Sequence, residues 1–166
     1  MSVDVFISHS SRDEDIARAL TELLRSALNI PHEKILCTSL PGHGFKVGVS
    51  VNEQLRIEVK EARFFIGLIT PDSIRSPYVL FELGARWGAG AQLAPVLAAG
   101  AGSDLLQGPL SVLNALNCSL GGHVHQLVTD VANFLQYPRV NPESYEHHVS
   151  KLVEVSKEKG TRANPT

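Results

Sequence analysis

Residues 63–70 read Arg63-Phe64-Phe65-Ile66-Gly67-Leu68-Ile69-Thr70, with no polar side chain between Phe64 and Ile69. A strand with one wet face alternates polar and apolar residues. A run that is apolar on both faces belongs in the middle of a parallel sheet with cover on each side. It is far too short to cross a bilayer, as is the run 93–99. Upstream, Val51, Leu55, Ile57 and Val59 suggest a helix ending near Glu61. Residues 39–48, with one Pro and three Gly, read as a loop, and Ile35-Leu36-Cys37-Thr38 as a short strand before it. Val3-Asp4-Val5-Phe6-Ile7-Ser8 is a buried first strand. Ile16, Ala19, Leu20, Leu23, Leu24 and Ala27 then recur at helical spacing, behind Ser11-Arg12-Asp13-Glu14, which has the form of a capping box.

Downstream, Ser76-Pro77 reads as an N-cap followed by proline at the first helical position, opening a helix through Trp87. Leu93-Ala94-Pro95-Val96-Leu97 is a fourth strand, whose proline favours an end position, and residues 113–118 contain a short fifth. Leu127, Val128, Val131, Phe134 and Leu135 mark another helix. Asn141-Pro142 starts a last one through Tyr145, Val149, Leu152 and Val153, and residues 157–166 form a polar tail. Strands alternating with helices predict an α/β fold: a flavodoxin-like five-stranded parallel sheet with helices on both faces. Its ligand crevice lies at the carboxyl ends of the first and third strands. Residues 8–13 and 70–78 therefore flank one site, and the 39–48 loop can fold over it.

The chain has 166 residues, 43% hydrophobic and 19% charged, enough to bury one core. Fifteen Lys and Arg against seventeen Asp and Glu give a net charge of −2, which argues against a surface dedicated to coating nucleic acid. No basic region precedes the first strand, so no secretory signal is read. Cys37 and Cys118, in no metal-ligand spacing, read as reduced structural thiols. A cytoplasmic protein is expected, with neither membrane nor nucleic acid as partner.

Glu82 is the carboxylate of most interest, set among Val79, Leu80, Phe81 and Leu83. Partial desolvation there makes its charge worth more opposite a cation than in water. Its plainer reading is an i,i+4 surface ion pair with Arg86. Ser10, Ser11 and Arg12 lie where a loop meets a helix N-terminus, which suits an anion; alternatively Ser11 only caps and Arg12 is solvated. His9, Ser10 and Asp13 have the letters of a triad, but no nucleophile elbow surrounds the serine. The 39–48 loop ends in no Gly-Lys-Ser/Thr and is no dinucleotide fingerprint; it is a mobile flap offering Phe45 and Lys46, or a plain connection. His123, His125, His147 and His148 lack companions at ligand spacing, so no metal site is expected. Tyr78 and Trp87 at helical positions read as core.

Together, Val5-Phe6-Ile7-Ser8-His9-Ser10, the glycine-containing loop after the second strand, residues 62–71 and Ser76-Pro77-Tyr78-Val79-Leu80-Phe81-Glu82-Leu83-Gly84 resemble a Toll/interleukin-1 receptor (TIR) domain, most nearly of the bacterial type. The resemblance covers residues 1–138. Residues 139–166 remain as a C-terminal helix and polar tail, read as a linker to a sensor domain. It implies cleavage of NAD+ at the nicotinamide–ribose bond, giving ADP-ribose or a cyclic isomer, with NAD+ as substrate and no cofactor. Glu82 matches the family's catalytic glutamate. His9, Ser10, Ser11 and Arg12 fall on its first-strand loop, and Ser39, Phe45 and Lys46 on the loop that borders the NAD+ site. Tyr78 stands where the family often has Trp. The resemblance further implies activation by self-association through the 39–48 loop, and a role in bacterial immune signalling against phage. Two other readings stand beside it. One is a non-enzymatic TIR–TIR scaffold. The other is a flavodoxin-like switch, disfavoured because His-Ser-Ser-Arg, not clustered acids, follows the first strand.

Overall fold

The computed structural model describes residues 3–38 and 51–163. Five parallel strands, β1 (Val5–Ser8), β2 (Ile35–Thr38), β3 (Phe64–Ile69), β4 (Ala94–Leu97) and β5 (Leu116–Asn117), form one sheet in the order β2-β1-β3-β4-β5. The helices are α1 (Glu14–Leu28), α2 (Val51–Glu61), α3 (Pro77–Gly88), α4 (Gly121–Leu135) and α5 (Glu146–Ala163). β1 and β3 are buried at every position, and apart from Ser8 at the end of β1 neither strand carries a polar side chain. Their side chains divide between two cores. Val5, Ile7, Phe64, Ile66 and Leu68 face α1, α4 and α5. Phe6, Phe65 and Ile69 face α2 and α3 with Val59, Val79 and Leu83, the two phenyl rings stacked at 5.1 Å.

Gly67 falls on the second face, opposite Leu83. A Cβ there would stand 2.5 Å from Leu83 Cδ2, so the missing side chain lets α3 approach the sheet. α3 begins as its sequence indicates, with the Ser76 hydroxyl accepting from Val79 N–H and Pro77 in the first turn.

Four details depart from the sequence reading. Ser10, not Ser11, accepts a capping bond, from Arg12 N–H, and a short 3-10 turn (Ser11–Asp13) precedes α1. Asp13 then precedes α1 without capping it, because its carboxylate is committed to groups distant in sequence. Pro95 lies inside the β4 span, paired in register with Gly67. Ala98 N–H donates toward β3 and Leu97 C=O accepts from Cys118, so by alternation the Pro95 nitrogen faces the β5 side. β5 first pairs at Val96, so no ladder bond is lost there. The last α-helix starts at Glu146, after a 3-10 turn (Pro142–Ser144) that Asn141 caps. Lys157 onward, read as tail, continues α5 to Ala163. That helix packs along α1, and Tyr145, Val149 and Leu152 belong to the first core.

Candidate active site

The candidate site lies where α3 meets the carboxyl ends of β1 and β3. Val79 and Leu83 anchor α3 to the sheet, which turns the Tyr78–Glu82 face toward a cleft of about 370 Å³. Leu55, Arg56, Pro77, Tyr78, Phe81 and Glu82 line it. Tyr78 is 45% exposed and Trp87 53%, so neither is the core residue its helical spacing suggested; Val79, Leu83 and Arg86 occupy the inward positions instead.

Glu82 is only 6% exposed, and its Oε2 has no hydrogen-bond partner among the described residues. Burial pushes its carboxyl up to about 8 from an ordinary 4.5. The Ser8 hydroxyl at the end of β1 is the neighbour that favours the charged form. It does so from close by without completing a hydrogen bond, since Ser8 Oγ is also unpartnered among the described residues.

The ion pair with Arg86 does not form. Arg86 is 2% exposed and its guanidinium is spent on backbone: Nε donates to Gln92 C=O at 2.6 Å, and Nη1 to Val59 and Lys60 C=O at 3.0 and 3.1 Å. The last two are carbonyls of the closing turn of α2, which the helix leaves without internal partners. Arg86 also lies over the Phe65 ring, 5.6 Å from its centroid. It therefore fastens α2 to α3 and leaves Glu82 without a cationic partner among the described residues.

His9 and Ser10 are buried at the end of β1, whereas Ser11 and Arg12 are exposed. His9 Nδ1–H donates to Ser10 C=O at 2.8 Å, which leaves Nε2 as the acceptor nitrogen, and burial lowers the pKa of the ring. Arg12 stands 3.7 Å from Asp72, so the β1 and β3 loops meet at that ion pair. Ser39, Phe45 and Lys46 lie outside the described residues.

Among the described residues no group of three or more His, Cys, Asp or Glu is placed to hold a metal ion. The clustered histidines serve elsewhere. His123 Nδ1 accepts from Asn117 N–H, His125 pairs with Glu146, and His148 bonds Ser26 with its ring against that of His147. No helix among the described residues is long and apolar enough to cross a membrane.

The sequence offered Asp13 only as part of a capping box and as one letter of a discounted triad, and its burial was not foreseen: it is 0% exposed. Thr70 Oγ1 donates to its Oδ2 at 2.5 Å, and Lys159 Nζ stands 3.4 Å from its Oδ1. No local pattern points to it, because both partners are remote in sequence.

A parallel sheet in this order, with a buried carboxyl at the carboxyl ends of its strands, defines a flavodoxin-like binding fold. The sequence profile of the TIR domain matches residues 5–127, and the chain belongs to that family. It is similar to an uncharacterized protein, YddK, of Bacillus subtilis (strain 168), with 32% identity over 83 residues; the match covers half of this chain and 31% of that protein. Its fold is similar to that of a metazoan TIR-STING receptor from C. gigas, solved in complex with 2',3'-cGAMP. The TM-score is 0.57 at 20% identity, over 84% of this chain and 41% of the receptor. The matched segments thus cover less than half the length of either relative.

Proposed function

We propose that this TIR domain cleaves the nicotinamide–ribose bond of NAD+, with Glu82 as the catalytic carboxylate. The observation that carries the reading is a nearly buried carboxyl with an unpartnered oxygen at an aromatic-lined cleft. Nicotinamide leaves as a neutral ring, so its departure needs no proton. Positive charge develops on the ribose, as in glycoside cleavage. A carboxylate that forms no ion pair among the described residues is free to pair with that charge, and poor solvation strengthens the attraction.

With the site empty, a carboxyl titrating near 8 is mostly protonated at pH 7. The cationic nicotinamide ring favours the ionised form, so substrate drives the proton off before the bond breaks. Tyr78 and Phe81 supply aromatic surface for the ring, and Arg56, at the same cleft, supplies positive charge for the diphosphate. Water attack then gives ADP-ribose, and attack by a nucleophile of the substrate itself gives a cyclic isomer.

The domain acts in bacterial immune signalling as the effector part of a longer protein, switched on when copies associate. Support for association comes from α3, where Phe81 is 81% exposed and Leu80 and Trp87 about half exposed. The same surface favours the second reading, a scaffold that works by TIR–TIR contact alone. The deciding experiment measures NAD+ consumption and nicotinamide release at high protein concentration, with and without a crowding agent, for wild type and Glu82→Ala. Release that disappears in the variant is the expected result. No turnover by assembled wild type moves the assignment to the scaffold, and equal turnover by both proteins identifies the wrong carboxylate.

A further inference from the structure

Asp13 receives groups from three parts of the chain. Thr70, one residue beyond β3, donates to Oδ2, and Lys159 on α5 lies 3.4 Å from Oδ1 and 3.1 Å from Asp15. Asp13 N–H donates to Ser10 C=O, the same oxygen that receives His9 Nδ1–H. Thr70 is tied in turn to Ser73. Thr70 N–H donates to Ser73 Oγ at 2.8 Å, and Ser73 N–H to Thr70 Oγ1 at 2.9 Å. The Ser73–Arg75 turn runs directly into Ser76 and Pro77, the start of the helix that carries Glu82.

The far end of this connection is equally fixed. Ala99 N–H donates to Ser156 Oγ at 3.1 Å. A Cβ on Gly160 would stand 2.9 Å from Gly100 N, so α5 lies with its backbone directly on residues 99–100 at the end of β4. Lys159, 19% exposed, reaches Asp13 from this seat. Asp13 Oδ1 makes no hydrogen bond, so the ammonium is its compensating group among the described residues.

We propose that Asp13 and Lys159 are positioning residues. They clasp α5 to the two loops beside Glu82, so that the C-terminal helix holds the first-strand loop and the entry to α3 in working register. Without Lys159 the Oδ1 of the buried carboxylate is left uncompensated among the described residues. Its relief is to swing toward water and abandon Thr70, or to take up a proton. Either change loosens Thr70–Ser73 on one side and Ser10 with His9 on the other. The effect on catalysis rests on the NAD+ reading above; the effect on loop order does not.

The test compares the full chain with Lys159→Met, Lys159→Arg and Asp13→Asn by hydrogen exchange and by nicotinamide release. Lys159→Met should speed exchange about tenfold or more at residues 9–13 and 70–76 while β1 and α4 stay protected. It should lower kcat with little change in KM, and Lys159→Arg should restore both measures. Unchanged loop exchange in both Lys159→Met and Asp13→Asn overturns the clasp. A uniform loss of protection through the sheet also overturns it, because the pair then serves stability alone. If wild type releases no nicotinamide yet the two loops loosen selectively, the clasp stands and the NAD+ reading falls.

Discussion

Replacing Glu82 with Gln should make this protein more stable. The carboxyl titrates near 4.5 when unfolded and near 8 in the folded chain, and burial is the cause. A carboxyl whose folded value is raised stabilises the fold fully below the unfolded value, and that contribution is lost as pH rises through the folded one. Moving from 4.5 to about 8 corresponds to a ceiling of about 5 kcal/mol once both states are ionised. At pH 7 the folded carboxyl still keeps most of its proton, and the loss is about 3 kcal/mol. Glutamine has nearly the same shape and no charge to bury. Urea unfolding of both proteins from pH 4 to 8.5 should therefore show similar stability at pH 4 and a gap of about 3 kcal/mol in favour of Glu82→Gln at pH 7. That is roughly 6–12 °C in Tm for a chain of this size. A gap that does not change with pH would show that the carboxyl is solvated. A variant less stable than wild type at pH 7 would show that the charge holds the fold together. Either outcome would refute the reasoning.

Because cleavage needs ionised Glu82, kcat/KM for nicotinamide release should rise with pH, reach half its plateau near pH 8 and level off above it, while kcat levels off at lower pH, where bound substrate favours the charge. A profile that falls between pH 6 and 8 contradicts this. Arg86→Met should orphan the carbonyls of Val59, Lys60 and Gln92 and cost about 3 kcal/mol in urea unfolding, although no carboxylate loses a partner. Gly67→Ala should force Leu83 aside and cost about 1–3 kcal/mol, read as a lower Tm. It should also lower nicotinamide release, since Leu83 adjoins Glu82.

The sheet was legible because β1 and β3 carry their burial in unbroken apolar runs, and because Ser76-Pro77 sets the start of α3 by local chemistry alone. Gly67, the capping box and Arg86 were not legible in the same way. Ser11 to Glu14 satisfy the capping pattern, but the pattern does not reveal that Asp13 will be drawn toward Thr70 and Lys159. Glu82 and Arg86 have ideal ion-pair spacing, yet the open carbonyls at the end of α2 compete for the guanidinium. Tyr78 and Trp87 have helical spacing on a helix whose inward face is already filled by Val79, Leu83 and Arg86. In each case a tertiary partner decided between two locally sound readings. Topology pointed to residues 8–13 and 70–78, but the described residues that line the cleft come from α2 and α3, and of the expected stretches only Pro77 and Tyr78 are among them; Glu82 was singled out by its apolar neighbours and the resemblance. The desolvation that sets its titration comes from α3 closing on the sheet.

The packing of α5 along α1 also sets an order of events during synthesis. These two helices stand near opposite ends of the described chain, and their shared core needs Tyr145, Val149 and Leu152. The strands and α1 leave the ribosome first, with Leu20, Leu24 and their neighbours still lacking part of their cover. Contacts of such long sequence separation close late and slow the search for the native state. The nascent chain therefore carries an exposed apolar helix face until α5 emerges, the stage at which it is most open to misassembly with other chains.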